Sequence, residues 1–304
     1  MGTPYCHGIH LGITYRVTGA SGIDLTRPRD LGDVLSRHGI WLTKSMGQHL
    51  LVDRDALDRI VAAADLSEDM EVLEVGPGAG TLTAELVQRV ARVVAVELDY
   101  RMAGVLRETV PAPNLEIVEA DALAVDPVAL FDGRPYKLVA NLPYGVATAL
   151  LRKLLYLPAE ARPQEIVVMI QLEVAKRLAA QPGDMSVLAV QAQLVADVEL
   201  LFTLGPEAFF PPPAVRSAVI RLRPISGFRV TPLPTEQRFF QTVAAGFSQK
   251  RKQVHNALGS LGIGTERIQA GLLEAGIETT RRAETLTLEE WSNLSNALWA
   301  SDGE

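Results

Sequence analysis

Glu74-Val-Gly-Pro-Gly-Ala-Gly-Thr81 carries glycine at three alternate positions, which strips side chains from a stretch of backbone and lets a ligand lie against it. Three polar residues follow at similar intervals: Glu97 lies 21 residues after Gly76, Asp121 lies 24 further on, and Asn141 lies 20 beyond that. A carboxylate at Glu97 can accept from both ribose hydroxyls of an adenosine, and one at Asp121 from an adenine amine. Charge-assisted hydrogen bonds of this kind contribute about 1.5–3 kcal/mol each. Asn141-Leu142-Pro143-Tyr144 offers a different chemistry. An exocyclic amine is a poor nucleophile because its lone pair is delocalised into the ring. The Asn141 side-chain oxygen and the Leu142 carbonyl can each accept one amine hydrogen and so stabilise the positive charge that appears as a methyl group arrives. Pro143 helps fix the carbonyl direction, and Tyr144 offers a ring face on which a base can stack. Positioning supplies most of the rate in such a scheme, with no general base and no metal. The spacing Gly-x-Gly-x-Gly, with Pro77 inside it, disfavours a nicotinamide dinucleotide and favours S-adenosyl-L-methionine, which has an adenosine but no pyrophosphate.

These residues need a scaffold that brings strand ends together. Short apolar runs predict strands at Glu71–Val75, Arg92–Glu97, Leu115–Val118, Tyr136–Ala140 and Glu165–Ile170. Helices are expected between them at Thr81–Arg89, Arg101–Thr109 and Ala147–Tyr156, and before them a helix with Leu57, Ile60, Val61 and Ala64 on one face. Strands with little polar alternation, separated by helices, imply a parallel sheet covered on both faces. Gly76, Glu97, Asp121 and Asn141 then fall at carboxyl ends of neighbouring strands, where such sheets bind ligands. Val198–Leu204 and Val215–Leu222 suggest an antiparallel edge hairpin.

The expected organisation is an arm over residues 1–33, loosely ordered or an over-long translation start, then an α/β domain over 34–223. A proline-rich linker over 224–234 and a small helical domain over 235–304 complete it. Four helices are expected in the last part, at Glu236–Phe247, Arg251–Leu261, Glu266–Ala275 and Leu288–Ala300, with Thr287 and Glu290 forming a capping box.

Composition narrows the setting. In 304 residues with one cysteine, Cys6, no internal disulfide or zinc cluster can form. Apolar runs of about five residues fall far short of the roughly 18 needed to span a membrane, and the first thirty residues show no secretory signal. A cytoplasmic protein is expected. The net charge of −7 excludes a uniformly basic nucleic-acid coat, yet Glu207–Leu258 holds eight Lys/Arg against two acids. That segment, at +6, leaves −13 for the rest, and Arg216, Arg221, Lys250, Arg251 and Lys252 become candidates for phosphate contact.

Several motifs together resemble a known family. Gln48-His49-Leu50-Leu51, the Gly-Pro-Gly-Ala-Gly loop, Glu97, Asp121, Asn-Leu-Pro-Tyr, Phe209-Phe-Pro-Pro-Pro-Ala-Val-Arg-Ser217 and Phe247-Ser-Gln-Lys-Arg-Lys-Gln-Val-His-Asn256 stand in the order seen in the ribosomal RNA adenine dimethyltransferases. The likeness covers about residues 38–299. It implies a class I, Rossmann-like methyltransferase domain with a helical appendage, moving methyl groups from S-adenosyl-L-methionine to adenine N6. In the bacterial branch, two adjacent adenosines near the 3′ end of small-subunit rRNA each receive two. By position, Gln48, His49, Leu51, Gly76, Gly78, Glu97, Asp121 and Asn141 would hold the cofactor, and Phe209 would stack on the target base opposite Tyr144. The expected partners are small-subunit rRNA and the immature small ribosomal subunit, with no obligate protein partner and a monomeric chain. Alternatives are a large-subunit rRNA methylase conferring antibiotic resistance and a non-catalytic rRNA-binding assembly factor. Two departures from the family pattern are visible: His49-Leu50 replaces the usual Asn-Phe, and Gly183-Asp-Met-Ser186 replaces a run with leucine before serine.

Overall fold

A computed structural model of the protein describes residues 23–41, 49–249 and 251–300. The described chain begins with α1 (Pro28–Arg37), β1 (Leu50–Leu51) and α2 (Arg54–Ala63). An alternating series follows: β2 (Glu71–Val75), α3 (Thr83–Leu86), β3 (Arg92–Glu97), α4 (Tyr100–Thr109), β4 (Leu115–Glu119) and α5 (Pro127–Phe131). It continues through β5 (Lys137–Asn141), α6 (Ala147–Leu155), β6 (Ile166–Gln171), α7 (Leu172–Leu178) and α8 (Val187–Val195). Then come β7 (Ala196–Leu204), β8 (Phe209–Phe210) and β9 (Ser217–Pro224). The helices α9 (Glu236–Gly246), α10 (Val254–Ala257), α11 (Thr265–Glu274) and α12 (Leu288–Trp299) close it.

Seven strands form one sheet in the order β4-β3-β2-β5-β6-β9-β7. The first five of these run parallel, and β9 is antiparallel to both β6 and β7. Burial on both faces explains why β5 and β6 read as apolar runs without alternation. The strand order reverses at β2, with β3 and β4 to one side and β5 and β6 to the other, so a crevice opens beyond the carboxyl ends of β2 and β5. Gly76 follows the one and Asn141 ends the other. The expected edge hairpin is present, but its second strand, β9, is the one that joins the sheet, and β7 lies outermost. A separate two-stranded ribbon pairs β1 with β8, Leu50 opposite Phe210 and Leu51 opposite Phe209.

Three expectations require correction. Part of the expected arm is folded: α1 starts at Pro28 and buries Leu31, Val34 and Leu35, an i, i+3, i+4 stripe, against Leu50, Met102 and Val105. Residues 1–22 lie outside the described residues. The helix expected at Arg251–Leu261 is α10 followed by a 3-10 turn at Leu258–Leu261, in keeping with a glycine at 259, a second at 262, and poor helix formers at His255 and Asn256. The helix expected over Thr81–Arg89 contracts to α3.

The helical appendage is joined to the sheet by more than a linker. Ile225 N donates to Val195 O (2.9 Å) and Arg229 N to Leu194 O (2.7 Å), while Ser292 Oγ donates to Pro232 O (2.7 Å). One continuous apolar core runs from Val168 and Ile220 of the sheet through Val190 of α8 to Phe239 and Trp291 of the appendage. The capping box forms as its sequence indicates: Thr287 Oγ1 accepts from Glu290 N, and a Glu290 carboxylate oxygen accepts from Thr287 N.

Candidate active site

The crevice at the switch point holds an open cleft of about 490 Å³, counting the solvent at its mouth, whose walls include Gly76, Gly78, Glu97, Asn141 and Tyr144. Its floor is bare backbone. Gly76 (φ +68°) and Gly78 (φ +59°) sit in the left-handed region. A Cβ on Gly76 would come within 2.9 Å of the Pro143 ring, and one on Gly78 within 2.6 Å of Leu50. The third glycine does not line the cleft: a Cβ on Gly80 would meet Val110 at 2.7 Å and Leu106 at 2.8 Å, so its absence lets the loop close on α4 and its flanking turn.

Glu97 ends β3 with its carboxylate almost fully buried, Oε1 accepting from Asp99 N at 3.0 Å. Burial pushes its pKa up, and bonds from the amides of Asp99, Gly78 and Leu98 act against that shift. Glu74, two residues before Gly76, is wholly buried, its Oε2 has no hydrogen-bond partner, and burial raises its pKa to about 8. The nearby carboxylate of Glu97 adds to the rise.

Asn141 Nδ2 donates to the His49 carbonyl (3.1 Å). A carbonyl only accepts, so this bond fixes the amide with Oδ1 as its uncommitted acceptor. Leu142 N donates to Met169 O (3.1 Å) and Val146 N to Pro143 O (3.1 Å), which hold the Asn-Leu-Pro-Tyr turn at both ends. The hydroxyl of Tyr144 is paired with Ser217 Oγ at 2.8 Å, and its ring lies 5.8 Å from that of His49. His49 donates from Nδ1 to Pro211 O (2.8 Å). One residue thus ties the Asn-Leu-Pro-Tyr turn to the proline-rich loop.

The structure brings together His49, Gly76, Gly78, Glu97, Asn141, Leu142, Pro143 and Tyr144 in one cleft. Other expected residues lie elsewhere. Leu51 and Phe209 are each 3 % exposed and pack with Val167 and Val219 in the core, because their pairing across the β1–β8 ribbon turns both inward. Phe209 therefore offers no open ring to a base in this structure. Leu50, the residue on the other side of the ribbon, lines the cleft with Met102. Asp121 is exposed beyond β4, its Oδ1 accepting from Leu123 N (2.8 Å), and is not part of the cleft wall. Arg221 is committed elsewhere, to Glu165 (3.3 Å), Glu199 (3.0 Å) and Ala63 O (2.8 Å). Arg216 is exposed and donates to Thr203 Oγ1 (2.9 Å), and Arg251 and Lys252 are exposed. Gln48 and Lys250 lie outside the described residues.

Sequence reasoning missed Leu98 and Leu123, which are 75 % and 39 % exposed immediately after Glu97 and shortly after Asp121. Large apolar side chains left in solvent beside carboxylates at strand ends are a recognisable signal for a flat apolar ligand face.

The fold and the cleft define a class I S-adenosylmethionine-dependent methyltransferase. The ribosomal RNA adenine dimethylase family model matches residues 41–299. The chain is 43 % identical over 254 residues to the ribosomal RNA small subunit methyltransferase A of Dehalococcoides mccartyi, spanning 83 % of this chain and 86 % of that one. A protein of the same name from Pelotomaculum thermopropionicum is 39 % identical over 303 residues, spanning 93 % and 100 %. Among solved structures, the 23S rRNA methyltransferase ErmE superposes with a TM-score of 0.66 at 30 % identity, over 82 % of this chain and 99 % of that one. The chain belongs to the ribosomal RNA adenine dimethylase family and is an rRNA adenine dimethyltransferase.

Proposed function

We propose that this enzyme dimethylates N6 of two adjacent adenosines near the 3′ end of small-subunit rRNA during maturation of that subunit in the cytoplasm, acting as a monomer. The observation that carries the reading is that Asn141 shares one cleft with Gly76, Gly78 and Glu97. Higher identity to the small-subunit relatives, 43 % and 39 %, than to the large-subunit methylase ErmE, 30 %, supports the choice of RNA.

The residues present fit S-adenosyl-L-methionine. Gly76 and Gly78 line the cleft without side chains, and the Glu97 carboxylate at the cleft wall suits a ribose diol. Asp121 and the exposed Leu98 and Leu123 would serve the adenine, and Asn141 the reacting end. When bound, this cofactor supplies an electrophilic methyl group on a sulfonium.

The chain's own part is to make an adenine amine reactive. Asn141 Oδ1, freed by the bond from Nδ2 to His49 O, accepts one amine hydrogen, and the Leu142 carbonyl accepts the other. Both acceptors strengthen as the nitrogen turns cationic, so they favour the transition state over the ground state. Tyr144 holds the base by stacking. The cationic nitrogen then gives up a proton to solvent, and the single hydrogen that remains engages one of the two acceptors in the second methylation.

Labelled S-adenosyl-L-methionine, the purified protein and under-methylated ribosomal subunits test the assignment by nucleoside analysis. Dimethyladenosine confined to the small-subunit RNA is the expected product. Label in large-subunit RNA would replace it with the resistance-methylase reading, and RNA binding without label would replace it with an assembly factor.

A further inference from the structure

Most cations of this chain are used internally. Among the described residues, only the side chains of Arg29, Arg152, Lys176, Arg177, Arg251 and Lys252 make no ion pair, hydrogen bond or ring contact. Two of the six, Arg177 and Lys252, line the same cavity, and Lys176 and Arg251 are their neighbours in the chain. Leaving a cation unpaired amid so many paired arginines marks a surface whose counter-charge comes from outside.

The cavity is an open pocket of about 1030 Å³, counting the solvent at its mouth, between α7, the loop before α8, the end of α9 and the 3-10 turn Ala283–Thr285. Its walls are tied together, since Glu284 O accepts from both Gly183 N (2.8 Å) and Met185 N (3.1 Å). The Gly183-Asp-Met-Ser186 run thus builds a wall of this cavity, away from the transfer site. Phe247 lines it as well, with its ring 5.6 Å from that of the buried Trp291. The route from the active cleft is short. Tyr144 bonds Ser217, and the adjacent Arg216 accepts through its carbonyl from Leu172 N (2.9 Å), the first residue of α7. Seven residues of helix span about 10 Å, and Arg177 is the sixth of them.

We propose that this cavity is a second nucleotide subsite, resting on the rRNA substrate argued above. It takes one unstacked nucleotide of the strand flanking the methylated adenosines, with the phosphate between Arg177 and Lys252 and the base against Phe247. Glu173, Asp184 and Glu284 share the walls. These carboxylates oppose a bare run of phosphates but accept from ribose hydroxyls and exocyclic amines, which fits a single nucleotide with its base turned inward. Docking of a flanking nucleotide here would set how far the target strand can slide past Tyr144, and so which adenosine reaches Asn141.

The test is affinity for under-methylated small subunits, without cofactor, measured by filter binding across a salt series. Arg177→Gln with Lys252→Gln lowers affinity about tenfold or more and reduces the slope of log affinity against log salt by about one. Phe247→Leu weakens binding with the slope unchanged. Arg152→Gln, which removes an equally unpaired cation on α6, stays within about twofold of wild type, as expected for a phosphate contact located elsewhere. Affinity for S-adenosyl-L-methionine stays at the wild-type value in all of these variants, and the melting temperature does so in the Arg177, Lys252 and Arg152 variants; Phe247→Leu lowers it somewhat, because that ring also packs on Trp291. A wild-type slope and affinity in the double variant, or an equal loss in Arg152→Gln, would overturn the subsite. If the wild-type protein neither binds nor methylates small subunits, the substrate reading falls instead; binding and methylation that persist unaltered in the variants sink only the subsite.

Discussion

Ser217 is a fully buried hydroxyl whose partner is the Tyr144 phenol at 2.8 Å. Removing it leaves a half-buried phenol without its bond, and a net hydrogen bond is worth about 1 kcal/mol. Ser217→Ala is therefore expected to slow methyl transfer about five- to tenfold while cofactor affinity stays unchanged. Single-turnover rates in Ser217→Ala, Tyr144→Phe and the double variant check this, and the double should be no slower than the slower single, because both remove the same bond. Glu74 supplies a pH prediction. Its carboxyl has an ordinary value of 4.5 and burial raises it to about 8 in the folded protein, so the native state retains a proton that the unfolded chain releases across that window. Stability should fall as pH rises from 4.5 to about 8 and level off above it. Glu74→Gln, neutral throughout, should show a flatter melting temperature over the same range; an unchanged slope in this variant would contradict the assignment.

Among the elements, α1 is the one whose role was least visible beforehand. Its buried Leu31, Val34 and Leu35 back Leu50 and Met102, two of the apolar residues that face the cleft. Leu31→Ala should cost about 3 kcal/mol and also weaken S-adenosyl-L-methionine binding, read by thermal melting and calorimetry together. A loss of stability with full cofactor affinity would show that α1 supports the fold and not the cleft. The parallel strands could be read from the sequence because each is a short segment rich in Val, Ile, Leu or Ala set between helical stretches, and Glu71–Val75 and Arg92–Glu97 match residue for residue. Helix α8 could not: Val187-Leu-Ala-Val-Gln-Ala-Gln-Leu-Val195 is apolar nearly all round, so it shows no amphipathic period to announce it. At the site, spacing sufficed for Gly76, Glu97 and Asn141, which strand ends position directly. The roles that the family resemblance implied for Leu51 and Phe209 do not match their burial, because which face of a two-residue ribbon turns inward depends on its pairing.

At the scale of the whole molecule, the expected linker at 224–234 is a seam. Val230 is buried within it, and the core continues across it to Trp291. Scanning calorimetry should accordingly show one cooperative transition for the sheet and the helical appendage together, and two separated transitions would contradict the shared core. Charge is also arranged globally. Arginines such as Arg54, Arg92, Arg134 and Arg281 are spent on internal acids, which reconciles a net charge of −7 with a local surface left open to phosphate. The central claim is that one cleft joins the cofactor loop to Asn141, with the side-chain oxygen acting on the amine. Its most direct measurement compares the single-turnover methyl-transfer rate with the S-adenosyl-L-methionine dissociation constant for Asn141→Ala. The rate should fall roughly 10²–10³-fold while the dissociation constant moves only a few-fold; transfer at the wild-type rate, or a loss explained wholly by weaker cofactor binding, would contradict it.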